Sequence, residues 1–282
     1  MTLQISEQSL ALRVKIDLIK WIISLLLMDV IDSHSHISST PDHVLELLTE
    51  MNRLDISKAC ISGLGSMFNS VSNKEILEIV ENFKPRFIGT YFIRPGVTTA
   101  LDIQDAYEQG FRMLKAIIPK KPYSDQSFFP LWGAAQRLGM PILFHTGLVT
   151  VSESSPKDII LSLDMHPLQI EPIANSFPDL NIILAHFGGH WNKDAAELAR
   201  MRHNVYVDLT GDSEGWRSKL DEEGFEKYLW WKNAFQNVVF GTHVHPDQIN
   251  QVLKEDKERY AKLNLDEQTK EMIFSGNIKG ML

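Results

Sequence analysis

Val30-Ile31-Asp32-Ser33-His34-Ser35-His36 is a short apolar run that ends on two histidines separated by one residue. In an extended strand successive side chains alternate faces, so residues two apart point the same way and both imidazoles converge on one point. Neutral imidazole nitrogens are good ligands for zinc and its neighbours. Asp32, on the same face by the same parity, is placed to orient a ligand from behind. Paired histidines also serve as core filler or a polar strand end, so the metal reading depends on what the rest of the chain brings to the same place.

Downstream of Met28, short β-branched runs alternate with longer segments of helical period, the signature of βα units on a parallel sheet. The first strand closes at His36, and a helix follows with Thr40-Pro41 as its cap and first helical residue. Further strands are expected over 58–62, 86–92, 112–118, 141–144, 181–185, 204–209 and 237–240. A helix is expected over 72–83, with others ending at Gly110 and near Leu138-Gly139. Eight strands, each followed by helical pattern, predict a (β/α)₈ TIM barrel of class α/β over 28–282. No linker divides it, and 282 residues are compatible with one such barrel domain.

Composition is that of an ordinary globular chain: 44% hydrophobic and 23% charged. The net charge of -8, with no basic block, argues against nucleic acid or an anionic membrane surface as partner and leaves a small molecule; homo-oligomerisation stays open. The single cysteine, Cys60, excludes an internal disulfide and fits a cytoplasmic setting. Within Ala59-Cys60-Ile61 it reads as an inert buried thiol. Within residues 1–27, Leu10 to Leu27 is strongly apolar but interrupted by Arg13, Lys15, Asp17 and Lys20, and the uncharged run from Trp21 is too short to span a bilayer. The segment is expected outside the barrel, as an extension preceding a start at Met28 or as an amphipathic helix packed on the domain. A membrane-surface anchor is the third reading.

Active sites of such barrels lie at the C-terminal ends of the strands. Six of the 10 histidines fall at or just beyond those ends: His34, His36, His145, His186, His243 and His245. His43, His166 and His203 read as bland helix-face residues, and His190, after Gly188-Gly189, as facing the site mouth or capping the next helix.

The chain resembles the amidohydrolase superfamily, and within it the amidohydrolase-related (amidohydrolase 2) branch of metal-dependent hydrolases, lactonases and aromatic-acid decarboxylases. The resemblance covers essentially all of 28–282. It rests on Ile31-Asp32-Ser33-His34-Ser35-His36, Gly110-Phe111 leading to Leu114-Lys115 and Pro119, and Gly139-Met140-Pro141-Ile142-Leu143-Phe144-His145-Thr146-Gly147. It continues through Leu184-Ala185-His186-Phe187-Gly188-Gly189, Val205-Tyr206-Val207-Asp208, Val239-Phe240-Gly241-Thr242 and Ile273-Phe274-Ser275-Gly276-Asn277. It implies that His34, His36 and His145 bind one divalent metal ion, most often zinc, with His186 a further ligand or a general acid/base. The related strand-8 motif ends Gly-Ser/Thr-Asp, whereas this chain has Gly241-Thr242-His243. Histidine brings one acceptor nitrogen and no charge where aspartate brings a carboxylate, so His243 is both a candidate ligand and a candidate base. Asp208 and Asp247 are compensating carboxylates to consider, with a structural contact the readier role for Asp208.

Lys115 is read as uncarbamylated, because the branch generally holds a single metal. Arg94 and Lys115 are candidate substrate-binding residues, Arg94 as a bidentate clamp on an anion or as a structural ion pair. The loop 148–165 is long enough to form a lid, and Trp191 and Trp216 are candidates to line the pocket. The favoured function is metal-dependent hydrolysis of an amide or lactone, with His186 or His243 moving the proton. The alternatives are a lyase that decarboxylates an aromatic or unsaturated acid, and a non-catalytic relative that has lost its base.

Overall fold

Eight parallel strands follow one another in chain order around a single sheet. They are β1 (Val30–His36), β2 (Ile56–Ser62), β3 (Phe87–Ile93), β4 (Met113–Ala116), β5 (Ile142–His145), β6 (Ile182–Ala185), β7 (Val205–Asp208) and β8 (Val238–Val239). In this computed structural model residues 28–149 and 159–282 are described; residues 1–27 and the centre of the loop 148–165, on which the expectations of an extension and a lid rest, lie outside the described residues. Helices α1 (His43–Arg53), α2 (Asn73–Asn82), α3 (Ala100–Gln109), α4 (Phe129–Leu138), α5 (Glu171–Ser176), α6 (Asn192–Met201), α7 (Trp216–Glu223) and α8 (Ile249–Lys262) follow the strands in turn. The short α9 (Glu267–Glu271) and α10 (Asn277–Met281) finish the chain, so the expected (β/α)₈ barrel is the fold. Among the described residues no helix is long and apolar enough to cross a membrane.

Local sequence explains the helix ends. Ser72 and Glu75 form a reciprocal capping box at α2, and Thr99 with Asp102 does the same at α3. The first helix departs from expectation: Thr40 is bonded to Ser38 Oγ at 2.6 Å instead of capping, so α1 starts later, at His43. β4 also stops early, because Ile118 adopts a left-handed φ of 48° that no strand continues through.

The barrel interior is filled by inward side chains of successive strands, among them Ile31, Cys60, Met113, Leu143, Ile183 and Val239, with Ile278 and Met281 of α10 packed against them. Fully burying an aliphatic side chain of this kind contributes about 1.5–3 kcal/mol relative to exposure. Period-2 alternation then places Lys115 two residues above Met113 and His145 two above Leu143, on the same inward face at the C-terminal end. Pairing of β1 with β2 shifts register between Asp32 and Ser35, a bulge that lets His34 and His36 crowd toward one another.

Closure falls to the segment after β8. Ser33 donates its backbone N–H (3.0 Å) and its hydroxyl (2.6 Å) to the carbonyl of Phe240, and His243 N–H donates to the carbonyl of His34 at 2.8 Å. The closing strand must pass hard against β1. A methyl group at Gly241 would lie 2.8 Å from Thr210 Cγ2 and 2.9 Å from His34 Cβ. Gly241→Ala is therefore expected to destabilise the fold by about 1–3 kcal/mol through overpacking, read as a lower urea midpoint at unchanged m-value. An unaltered midpoint would show that the seam has room to spare.

Candidate metal centre and active site

Four strand-end histidines meet at the C-terminal mouth. The ring of His34 lies 4.9 Å from His36, 5.2 Å from His186 and 4.5 Å from His243, and His243 lies 4.8 Å from His36 and 4.6 Å from His186, centroid to centroid. His145 joins through His186, at 5.1 Å. His245, two residues on, points away to Asp247 and His43.

Hydrogen bonds decide which ring nitrogen each histidine offers. His34 Nδ1 faces Asp208 Oδ2 at 3.0 Å; a carboxylate only accepts, so Nδ1 carries the proton and Nε2 the lone pair. The other oxygen, Oδ1, takes the Thr210 hydroxyl at 2.6 Å, the Thr210 N–H at 3.2 Å and the His186 N–H at 2.7 Å. Having spent its one proton on Asp208, the Thr210 hydroxyl must accept from His186 Nδ1 at 2.9 Å. His186 therefore also presents Nε2 as a lone pair. His145 donates Nε2–H to the carbonyl of Leu148 at 3.2 Å, which leaves Nδ1 as its acceptor. His36 Nδ1 meets Ser62 Oγ at 2.7 Å, while its Nε2 lies 3.1 Å from His34 Nε2. His243 has no hydrogen bond on either ring nitrogen among the described residues.

Burial governs the charges. Loss of water, followed by the neighbouring imidazoles and Lys115, holds His34, His36 and His186 well below the ordinary histidine value and brings His145 and His243 down to about 3. All five are thus neutral at pH 7 and keep their lone pairs. Burial likewise lowers Lys115 to about 7 and raises Asp208.

The donor set fits a divalent cation. Ligand nitrogens of His34, His186 and His243 lie within 4.8 Å of one another, close to the roughly 4.2 Å that two zinc–nitrogen bonds of about 2.1 Å span at most. The lone pair of His34 also faces Lys115 Nζ at 2.9 Å.

Other expected residues are distributed unevenly. Asp32 was expected on the face of the histidines, but its carboxylate accepts from Thr242 Oγ1 (2.6 Å), Thr242 N–H and His34 N–H (3.0 Å each), so it holds Thr242 and the His34 backbone and not an imidazole ring. Arg94 donates Nε to the carbonyl of Ile118 at 2.9 Å. Trp216 lines a cavity of about 380 Å³ together with His145, Leu148, His186, Asp212 and His243, and His190 stands at its edge. Trp191 instead packs on His166, 4.5 Å between rings. Asp247 is exposed and bonded to His245 at 2.9 Å. His43 departs from its bland reading: it is buried, with Nδ1 2.8 Å from Ser38 Oγ. Thr210 and Asp212 were not singled out by the sequence reading. The only signal for Thr210 was its place two residues beyond Asp208, on the same face of an extended segment.

The amidohydrolase family profile matches residues 67–282. The chain belongs to the amidohydrolase family. Solved structures similar to this amidohydrolase include a TIM-barrel protein from Bordetella bronchiseptica, with 18% identity, 90% of this chain and 98% of that one covered, and a TM-score of 0.67. A "probable 2-pyrone-4,6-dicarboxylic acid hydrolase" from Acinetobacter baumannii, with citric acid bound, gives 12% identity, coverage of 90% and 98%, and a TM-score of 0.64. A 5-carboxyvanillate decarboxylase from Novosphingobium aromaticivorans, complexed with manganese, gives 12%, 87% and 93%, and 0.59. At such identities the likeness speaks for the barrel alone. No curated protein matches the sequence.

Because Asp208 meets His34 directly and His186 through Thr210, Asp208→Asn is expected to turn an amide N–H toward His34 Nδ1 and upset its tautomer. Metal affinity, measured by competition with a chelator, should fall about 10–100-fold. Affinity equal to wild type would show that Asp208 does not set the ligand orientation.

Proposed function

We propose that this amidohydrolase is a metal-dependent hydrolase that cleaves the C–N or C–O bond of a small-molecule amide or lactone. The observation that carries the reading is His243: a neutral imidazole, hydrogen-bonded at neither ring nitrogen among the described residues, set among the other histidines and lining the cavity. His34, His36, His145 and His186 are the residues that would hold one divalent ion, which leaves the single lone pair of the neutral His243 ring to act as base. Zinc suits an imidazole donor set best, and such an ion, uncompensated by ligand charge, supplies Lewis acidity toward a carbonyl and toward water.

His243 takes the proton of the attacking water, since its lone pair is free and it stands at the cavity wall. His186, its Nδ1–H fixed by Thr210, would present its Nε2 to the ion, and the proton that His243 accepts passes on to the leaving group. Trp216 and Leu148 exclude water and seat the apolar part of the substrate. Decarboxylation is the weaker reading, because a carboxylic-acid substrate calls for cationic groups. The described cavity lining carries Asp212 and neither arginine nor lysine. Arg94 is engaged at Ile118 and Lys115 at His34, so their part in substrate binding is that of supports to the wall and to the metal ligand. A cytoplasmic setting agrees with the lone cysteine, whose thiol is buried and pushed up by loss of water.

On a panel of lactones, amides and carboxylic acids, the metal-loaded wild type should turn over a lactone or amide. His243→Ala should lower that turnover about 10²–10⁴-fold with metal retained. A nearly inactive wild type in which His243→Asp creates activity would instead identify a decayed site.

A further inference from the structure

Among the described residues a second cavity also opens onto the histidine cluster. The first, described above, is walled by residues that follow β5, β6 and β7. The second, about 320 Å³, is walled by residues that close or follow β1, β2 and β8, among them Ser38, His43, Phe68, Ser70 and His245, with His36 on the side of the metal centre. His243 is the one residue lining both among the described residues. The order of strands explains this: β8 stands between β7 and β1 around the barrel, so the residue that leaves its end divides the two sectors of the mouth. His243 is held as that partition by a left-handed φ of 50° and by its N–H on the carbonyl of His34. A non-glycine residue in that conformation is sustained only where its surroundings fix it.

The chambers differ in chemistry. The first offers Trp216, Leu148 and glycine backbone, with Asp212 as its one carboxylate among the described residues. The second offers hydroxyls and imidazoles: Ser38 Oγ is tied to His43 Nδ1, and the His245 ring is flanked by Asp247 at 2.9 Å and Glu46 at 3.7 Å. Among the described residues this chamber's lining carries neither arginine nor lysine, so it suits an uncharged or aminated polar group over an anion.

We infer that the substrate is an open-chain amide with two arms, an apolar arm seated in the Trp216 chamber and an uncharged or cationic polar arm in the Phe68–His43 chamber, with the scissile bond over His243. This rests on the hydrolase reading. A small lactone ring occupies one chamber and leaves the other unused; a two-armed amide fills both. The balance is that of hydrolysis: the C–N bond breaks, the water oxygen joins the acyl carbon, and the proton accepted by His243 goes to the leaving nitrogen, giving a carboxylic acid and an amine.

Binding tests the inference without requiring turnover. Benzyl alcohol probes the first chamber and serinol the second, on the metal-loaded full chain, followed by tryptophan fluorescence and by histidine ring signals in NMR. The two probes should bind together without competing. Phe68→Ala should weaken serinol about tenfold while benzyl alcohol changes less than about twofold. Mutual competition, failure of either probe to saturate, or equal response of both probes to Phe68→Ala would overturn the two-chamber assignment. Kinetics separate this from the hydrolase reading. For two phenylacetamides, one with a free NH₂ and one with an N-(2-hydroxyethyl) arm, Phe68→Ala should lower kcat/KM only for the second. If no amide or lactone reacts while both probes still bind together, the hydrolase reading fails and the two chambers stand.

Discussion

The Asp208 carboxylate is the interaction on which the mouth of the barrel depends. Standing at the end of β7, it accepts from a histidine ring on β1, from the backbone after β6 and from both the hydroxyl and the N–H of Thr210. Four donors on one buried, acceptor-only group fix the tautomers of two imidazoles at once. Burial alone would push such a carboxyl toward its neutral form, and the donors oppose that. The site's chemistry thus rests on a residue that touches neither cavity.

That hub is braced from outside the barrel. Arg217, buried on α7, donates to the carbonyl of Leu209 at 2.7 Å, the link between Asp208 and Thr210, and to Asp256 of α8 at 2.9 Å. Arg259 joins Asp256 to Asp221, so α7, α8 and the end of β7 are tied by one ionic network. Removing one partner of a buried network of this kind would leave an uncompensated charge, at a cost of about 3–5 kcal/mol. On the opposite flank, the close passage of Gly241 against His34 and Thr210 locks β8 to the same point.

Much of this was legible in the sequence. Strand ends announce themselves through apolar runs that stop on a polar residue, and period-2 parity puts Lys115 and His145 on the inner face. His34, His36, His145, His186 and His243 were therefore readable as strand-end residues, in one set with His245, which the structure turns away to Asp247 and His43. What sequence did not show were relations set by closure of the barrel. Asp208 and His34 are 174 residues apart, and only the return of β8 to β1 brings them together. Asp32, the nearer carboxylate, looked like the orienting group by parity, but the bulge in β1 turns it to Thr242. His43 looked like a surface residue because α1 was expected to begin at Pro41. Once the turn at Pro41-Asp42 delays the helix, that histidine faces inward to Ser38.

The family assignment and the neutral donor set meet in one claim, that imidazoles alone gather a divalent ion at this barrel mouth. Elemental analysis of the purified full chain, combined with X-ray absorption at the metal edge, tests it most directly. The account predicts one equivalent of zinc or a similar divalent metal, surrounded by imidazole nitrogens at about 2.0–2.1 Å. A protein that purifies and remains metal-free at saturating zinc, or a metal whose shell is dominated by oxygen, would contradict it.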